Sequence, residues 1–564
     1  MTADLALLLP LAAVWPLVLA VFCLVPAWGS RMIALLPLAP VPALCAAILA
    51  PRDQVVRTPG ILLDGGLALS DTGAVFLGGA AVLWICAGAY AVRSMGSDSR
   101  PAAFALFWNV VLVGNLGVFI AADIVSFYVF FALVSLMAYP LVIHDRKPAS
   151  LRAGTAYVVL AVIGETALLA AFMLASHGAG GSLWIGDVRA GFGLPGSSPA
   201  ILWLLILGFG IKAGLMPLHV WLPVAHPAAP VPASAVLSGA IVKAGIFGLL
   251  TFLPFGVSAP VEGTTLALLG FGGLFGGALL GLAQPGGKAV LAYSTVSQMG
   301  LVMGALGAAL AAGVPAAVVL PAVALYALSH GLAKGGLFLS YGLAPWCAKG
   351  WRWGLLALVL VLALSIAGLP FTAGALAKSA IKGPAGPFGA TLIGLSALTS
   401  ALVLARFLAL LPAARAGNDR PPLLLALPVL ALASAALVLP MVLHPTVAGK
   451  TPFAATTLLG LLESTWPLAL AGLLVIGAVA LGLKPPSLPE GDLLDPMRRS
   501  AAAAHTAFQA AVRAGSASMR SSPERSGTAW RDNLAKVEVT VRDRTSLAVF
   551  LLVVMGALLA AFLG

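Results

Sequence analysis

Two lysines, Lys212 and Lys243, each sit inside an apolar stretch of helix length, and a proline-broken segment, MPLHVWLPVAHPAAPVP, joins them. An ionisable group in the hydrocarbon core of a membrane costs several kcal/mol, so such groups are rare, face the protein interior and usually mark an ion path. The same pattern recurs at His330/Lys334 and at Lys378/Lys382. A chain that repeats this expense is not a passive anchor.

The surroundings of these residues are those of a membrane protein. The chain has 564 residues, of which 61% are hydrophobic and 9% charged, against about a quarter charged in soluble domains. Its 63 Gly and 40 Pro suit helices that pack closely and kink inside a bilayer. The net charge of +12 does not mark a nucleic-acid binder, because the basic residues are spread over short loops and a C-terminal segment. That spread predicts contact with anionic lipid. Cys23, Cys45, Cys86 and Cys347 have neither metal-ligand spacing nor a disulfide framework. No motif for a cofactor, a metal or a nucleophile–base pair is present, and GFGGLFGGALLG reads as helix packing.

Apolar segments long enough to cross a bilayer fall at 4–25, 31–50, 72–95, 102–122, 124–143, 153–176, 199–221, 232–254, 262–284, 288–312, 315–343, 353–381, 386–412, 421–444, 455–484 and 546–563. The expected fold is an all-α polytopic membrane protein with about 16 transmembrane helices. The N-terminus lacks a basic leader region and reads as a retained helix. The stretch after the second segment, PRDQVVRTPGILLDGGLALSD, reads as a hairpin over one face. Two segments read as discontinuous: Pro217, Pro223, Pro227, Pro230 and Pro232 follow Lys212, and Gly368 and Pro370 precede Lys378. Proline removes a backbone bond, and broken helices at two corresponding places point to inverted repeats with ion sites at their centre.

The short loops carrying Arg93, Arg100, Arg146, Lys147 and Arg152 outweigh the alternate set in positive charge. By the positive-inside rule they face the cytoplasm, which puts both termini outside. Residues 485–545 are polar and rich in Ala and Arg. They read as a long amphipathic lateral helix on the cytoplasmic face, reaching on the order of 80–90 Å, with 546–564 as the terminal anchor. Asp123 reads as a helix cap and Lys382 as a snorkelling residue at a helix end.

LMPLHVWLPVAHPAAPVPASAVLSGAIVK (215–243), LAYSTVSQMG (291–300), LSHGLAKGGLFLSYG (328–342) and SIAGLPFTAGALAK (365–378) together resemble the antiporter-like proton-translocating subunits of respiratory complex I, Mrp-type antiporters and membrane-bound hydrogenases. The resemblance implies N-terminal helices over 1–100, half-channel repeats over 101–254 and 262–412, and additional helices over 421–484. It implies that Lys212 binds the proton of the first half-channel and that Lys243 is the central connecting lysine. His330 and Lys334 would continue the polar axis, Lys378 would stand at the exit, and His219 and His226 would relay protons or line a mouth. The family places a glutamate before a Leu-x-Ser pattern on its fifth helix, and here Ala132 stands there. The nearest buried acid is Glu165, expected to hold Lys212 charged and to release its proton on separation.

The function this implies is proton or Na⁺ translocation in a bacterial inner membrane, within a complex whose other membrane or peripheral subunits hold the driving chemistry. An alternative is the energising subunit of a two-component inorganic-carbon uptake system, with one large soluble zinc partner. A further alternative is a non-conducting scaffold.

Overall fold

The computed structural model describes residues 5–60, 62–192, 198–413, 420–448, 457–483 and 487–489. The expected lateral helix, apart from 487–489, and the terminal anchor lie outside these residues. Among the described residues, 14 helices are long and apolar enough to cross a membrane, and a shorter apolar helix, Leu8–Phe22, precedes them. They follow the expected segments in order, and the protein is a multi-pass membrane protein.

Departures occur where proline interrupts the backbone ladder. The second expected span, 31–50, divides into a 3₁₀ stretch, Gly29–Leu38, and a helix, Val41–Leu49, around Pro37 and Pro40. The expected hairpin forms as β1 (Val56–Arg57) and β2 (Gly66–Leu67), paired antiparallel. Asp123 caps its helix by accepting from Ser126 N at 2.8 Å, as expected. Its other oxygen accepts from Gly66 N at 2.8 Å, which ties the hairpin to the bundle.

Nine of the described helical pieces position the buried lysines and their partners: α1 (Pro148–Gly178), α2 (Ala200–Ala213), α3 (Trp221–Ala228), α4 (Val242–Phe252), α5 (Gly287–Ala311), α6 (Ala316–Leu343), α7 (Lys349–Ala367), α8 (Ala373–Lys382) and α9 (Gly386–Ala409). The glycine-rich helix Pro260–Leu282 lies backbone to backbone on α5, since a Cβ at Gly270 would sit 2.2 Å from Gly304 N. This is the small-residue packing expected of that segment. With neighbours on every side, α5 is buried over the central part of its span, so the polar side chains there must find partners inside the protein.

Both expected discontinuities are present, and both are built the same way. At the first, Gly214 has φ +82°, Leu215 N donates to Gly210 O (2.8 Å) and Gly214 N to Ile211 O (3.2 Å). At the second, Gly368 has φ +96°, Leu369 N donates to Leu364 O (2.9 Å) and Gly368 N to Ser365 O (3.0 Å). Each is a Schellman stop with glycine in the left-handed conformation, read from Ala-Gly-Leu with a proline shortly after.

Candidate functional site

The chain stop at Gly214 leaves Lys212 in the last turn of α2, buried at 5% exposure. Its ammonium donates to Tyr157 Oη at 3.3 Å and lies 5.6 Å from the Tyr157 ring centre. Tyr157 in turn donates to Ser135 O at 2.6 Å. Glu165, two turns further along α1, shares a cavity of about 10 Å³ with Lys212, Tyr157 and Ser135, which is room for about one water. Glu165 Oε2 finds no hydrogen-bond partner among the described residues. Lys212 and Glu165 therefore face one small cavity, while the direct bond of Lys212 goes to tyrosine. Phe131 and Ser135 line that cavity, and the half-buried Ala132 between them does not.

Lys243 stands at the start of α4, just after a π turn at Leu237–Ile241. Its Nζ donates to Ser238 O at 2.5 Å and is 3.0 Å from His330 Nδ1 on α6. Such π turns often occur at functional sites, and here the turn brings its own carbonyl to the ammonium. The helices meet closely: a Cβ at Gly331 would lie 2.5 Å from Gly239 O. The Ser238 hydroxyl is 2.7 Å from Thr295 Oγ1, and Thr295 donates to Leu291 O at 3.0 Å. Lys334, fully buried, donates to that same carbonyl at 2.9 Å. A polar chain thus runs from His330 through Lys243, Ser238, Thr295 and Leu291 O to Lys334.

Lys378 lies on α8, beyond the second stop. It donates to Ala367 O at 3.0 Å and to Ser396 Oγ at 2.9 Å. Ala367 ends α7, so the ammonium sits at the negative end of a helix dipole. Gly374 permits this return of the chain, because a Cβ there would overlap Ser365 O at 1.7 Å. Behind Ser396 the bonds continue: Ser400 Oγ donates to Ser396 O at 2.6 Å, Gln298 Nε2 to Ser400 Oγ at 2.9 Å, and Tyr326 Oη to Gln298 Oε1 at 2.5 Å. The Tyr326 ring stacks on His330, with centres 6.2 Å apart and planes at 7°.

The other expected site residues lie nearby. His219 is buried 5.9 Å from the Tyr293 ring. His226 stacks on Phe338 at 4.7 Å, one turn from Lys334, and neither of its ring nitrogens has a hydrogen-bond partner among the described residues. Lys382 is the last residue of α8 and is half-buried. Among the described residues no carboxylate comes within ion-pair distance of Lys212, Lys243, Lys334 or Lys378, and no group of three or more metal-binding side chains exists. The arrangement therefore holds three buried ammonium clusters: Lys212 with Tyr157 and Glu165, Lys243 with His330 and Lys334, and Lys378 with serine and carbonyl oxygens.

Sequence reasoning missed Tyr157, Ser238, Thr295, Tyr326, Gln298, Ser396 and Ser400. A signal existed for two of them. Thr295 and Gln298 are polar residues three apart in LAYSTVSQMG, hence on one helix face, in a span with no aqueous side.

Residues 121–347 match the family described as NADH:quinone oxidoreductase/Mrp antiporter, transmembrane, which bears out the resemblance over that region. Hydrogenase-4 component B of Escherichia coli is 37% identical over 257 residues, covering 43% of this chain and 37% of that protein. NADH-quinone oxidoreductase subunit M of Pseudomonas aeruginosa is 31% identical over 262 residues, covering 42% of this chain and 48% of that protein. The chain thus spans less than half the length of these relatives. In fold it is similar to the Mrp complex of Dietzia sp. DQ12-45-1b, with a TM-score of 0.75 at 23% identity over 95% of this chain and 62% of that one. It is also similar to an archaeal membrane-bound sulfane sulfur reductase, with a TM-score of 0.68 at 22% identity over 95% of this chain and 99% of that one.

Proposed function

We propose that this chain is the proton-moving subunit of a larger membrane complex, with Lys212, Lys243, His330, Lys334 and Lys378 as the groups that take up and pass on protons. The observation that carries the reading is the Lys243–His330 contact of 3.0 Å. An ammonium and an imidazole nitrogen at that distance can exchange one proton: the N–H bond of Lys243 breaks as the N–H bond of His330 Nδ1 forms, and the positive charge moves across the helix interface. Glu165, on the Lys212 cavity, supplies the negative charge that stabilises a proton arriving at Lys212.

Protons suit this site better than Na⁺. A metal cation needs several oxygen ligands, and a row of ammonium groups repels it. A driving reaction is sought in partners, because the relatives named above are components of hydrogenase and quinone oxidoreductase assemblies. The inorganic-carbon reading rests on resemblance alone, and these relatives do not carry it.

The test is proton flux into vesicles reconstituted with the full chain and its co-purifying subunits. Lys243→Gln keeps a polar head, one atom nearer the backbone, but cannot hold the charge, and it is expected to abolish flux. Unchanged flux in that variant would reject the reading.

A further inference from the structure

We propose that Gln298 is a positioning residue, an amide joint that fastens the His330 cluster to Lys378 while stopping protons from hopping between them. The inference rests on the proton-transfer reading above and adds to it a barrier that the reading does not require.

Gln298 is fully buried at the middle of α5, and both ends of its amide are engaged. Its oxygen accepts from Tyr326 on α6 at 2.5 Å, and its nitrogen donates to Ser400 on α9 at 2.9 Å. One side chain thus ties three helices. On one side lies the ring of Tyr326 stacked on His330; on the other lies Ser396, whose hydroxyl accepts from Lys378. This row of contacts links the central cluster to the last lysine through the amide.

The chemistry of the amide decides what the link transmits. A hydroxyl or a water accepts and donates at one oxygen, so an arriving proton is balanced by a departing one. Glutamine accepts at oxygen and donates from nitrogen. A proton placed on Oε1 therefore cannot leave from Nε2 without converting the amide to its imidic form, which has a different bonding pattern. The donors also run one way, from Tyr326 to Gln298 to Ser400 and on to Ser396 O. That series ends on a carbonyl, so Ser400 must turn its hydroxyl away from Ser396 O before it hands a proton on; a hydroxyl can turn in this way, and the amide cannot exchange its two ends. The bonded row transmits position and not protons. A proton following this row from His330 to Lys378 needs the Tyr326–Gln298 bond to open and water to enter, which makes that bond a valve.

Gln298→Glu and Gln298→Leu separate these roles when the full chain, with its co-purifying subunits, is reconstituted into vesicles. Passive proton leak and coupled flux are read separately. A protonated carboxyl takes a proton at one oxygen while releasing one from the other. Gln298→Glu is therefore expected to raise passive leak by about tenfold or more, the effect of removing a barrier of one buried hydrogen bond. The added leak should vanish in the double variant with Lys378→Ala, which a merely structural role would not produce. Gln298→Leu, whose apolar side chain keeps water out, should lower coupled flux without adding leak, whereas Tyr326→Phe, which keeps the ring stack but removes the valve bond, should raise leak. Wild-type leak in Gln298→Glu, or wild-type coupled flux in Gln298→Leu, overturns the valve while leaving proton transfer standing. A wild-type protein without proton flux overturns both.

Discussion

The two helix breaks share a backbone and differ in how they hold charge. Each is an Ala-Gly-Leu stop with glycine at φ +82° or +96°, and each frees carbonyls inside the membrane that need donors. At the first break the freed Ile211 O is met by the indole of Trp221 at 2.9 Å, so Lys212 stays free to face Tyr157 and the Glu165 cavity. At the second, the freed Ala367 O is met by Lys378 itself. One lysine is balanced by a carboxylate across a water-sized space, the other by neutral oxygens and a helix end. The lesson is that a repeated backbone motif does not repeat its electrostatics. The side chain that satisfies the broken ladder decides whether the lysine is structural cement, a titrating group, or both.

This contrast can be broken at five positions. The largest effect is expected from Glu165→Gln, which removes the balancing charge at Lys212 only. Loss of an opposite charge across the cavity makes Lys212 a poorer proton acceptor, so proton flux should fall by about a hundredfold. Full flux in that variant would mean the two breaks do not differ in charge compensation. Next is Trp221→Phe, which removes the indole donor and leaves Gly214 N as the remaining partner of Ile211 O. The loss of one buried hydrogen bond costs about 1 kcal/mol, to be read as a lowered thermal midpoint in detergent, with flux per folded molecule little changed. Ser396→Ala removes a neutral partner of Lys378, and flux should drop roughly tenfold; an effect as large as that of Glu165→Gln would erase the distinction drawn here.

The smallest effects sharpen the comparison. Gly214→Ala and Gly368→Ala each force alanine into a left-handed turn at about 1 kcal/mol. At Gly214 the new methyl meets only Leu222 at 3.5 Å, whereas at Gly368 it presses on Lys378 Cδ at 3.1 Å. Both variants should lose similar stability, and Gly368→Ala alone should also slow flux. Matching flux losses in the two would show that Lys378 does not depend on its packing against the turn.

The spans, the breaks and the lysines were legible before any coordinates, and so was the cap at Asp123. The span expected at 31–50 is present, and only its division into a 3₁₀ stretch and a helix around Pro37 and Pro40 was not foreseen. The partners of the lysines were less legible. Glu165 was identified by being the nearest buried acid, and it does share the Lys212 cavity, yet Tyr157 takes the bond. Nothing in TAYVVL marks a tyrosine as a lysine partner, since an aromatic on an apolar helix is ordinarily packing. Ser396 and Ser400 are similarly mute, because small hydroxyl residues are common at membrane helix contacts.

By itself the sequence determined that the chain crosses a membrane many times, that two of its spans are broken beside proline, and that lysines stand at depth beside the breaks. These follow from local quantities: the transfer free energy of each segment, the glycine-only conformation and the missing proline donor. Only the tertiary structure decided that Lys243 meets His330 from 87 residues away, that a π turn offers Ser238 O to it, and that Gln298 stands between His330 and Lys378. A hydrogen bond is made or lost within a fraction of an ångström, and that margin is set by how each helix is rotated and pressed against its neighbours. The glycine contacts between distant segments fix that rotation, and no stretch of sequence contains both sides of such a contact.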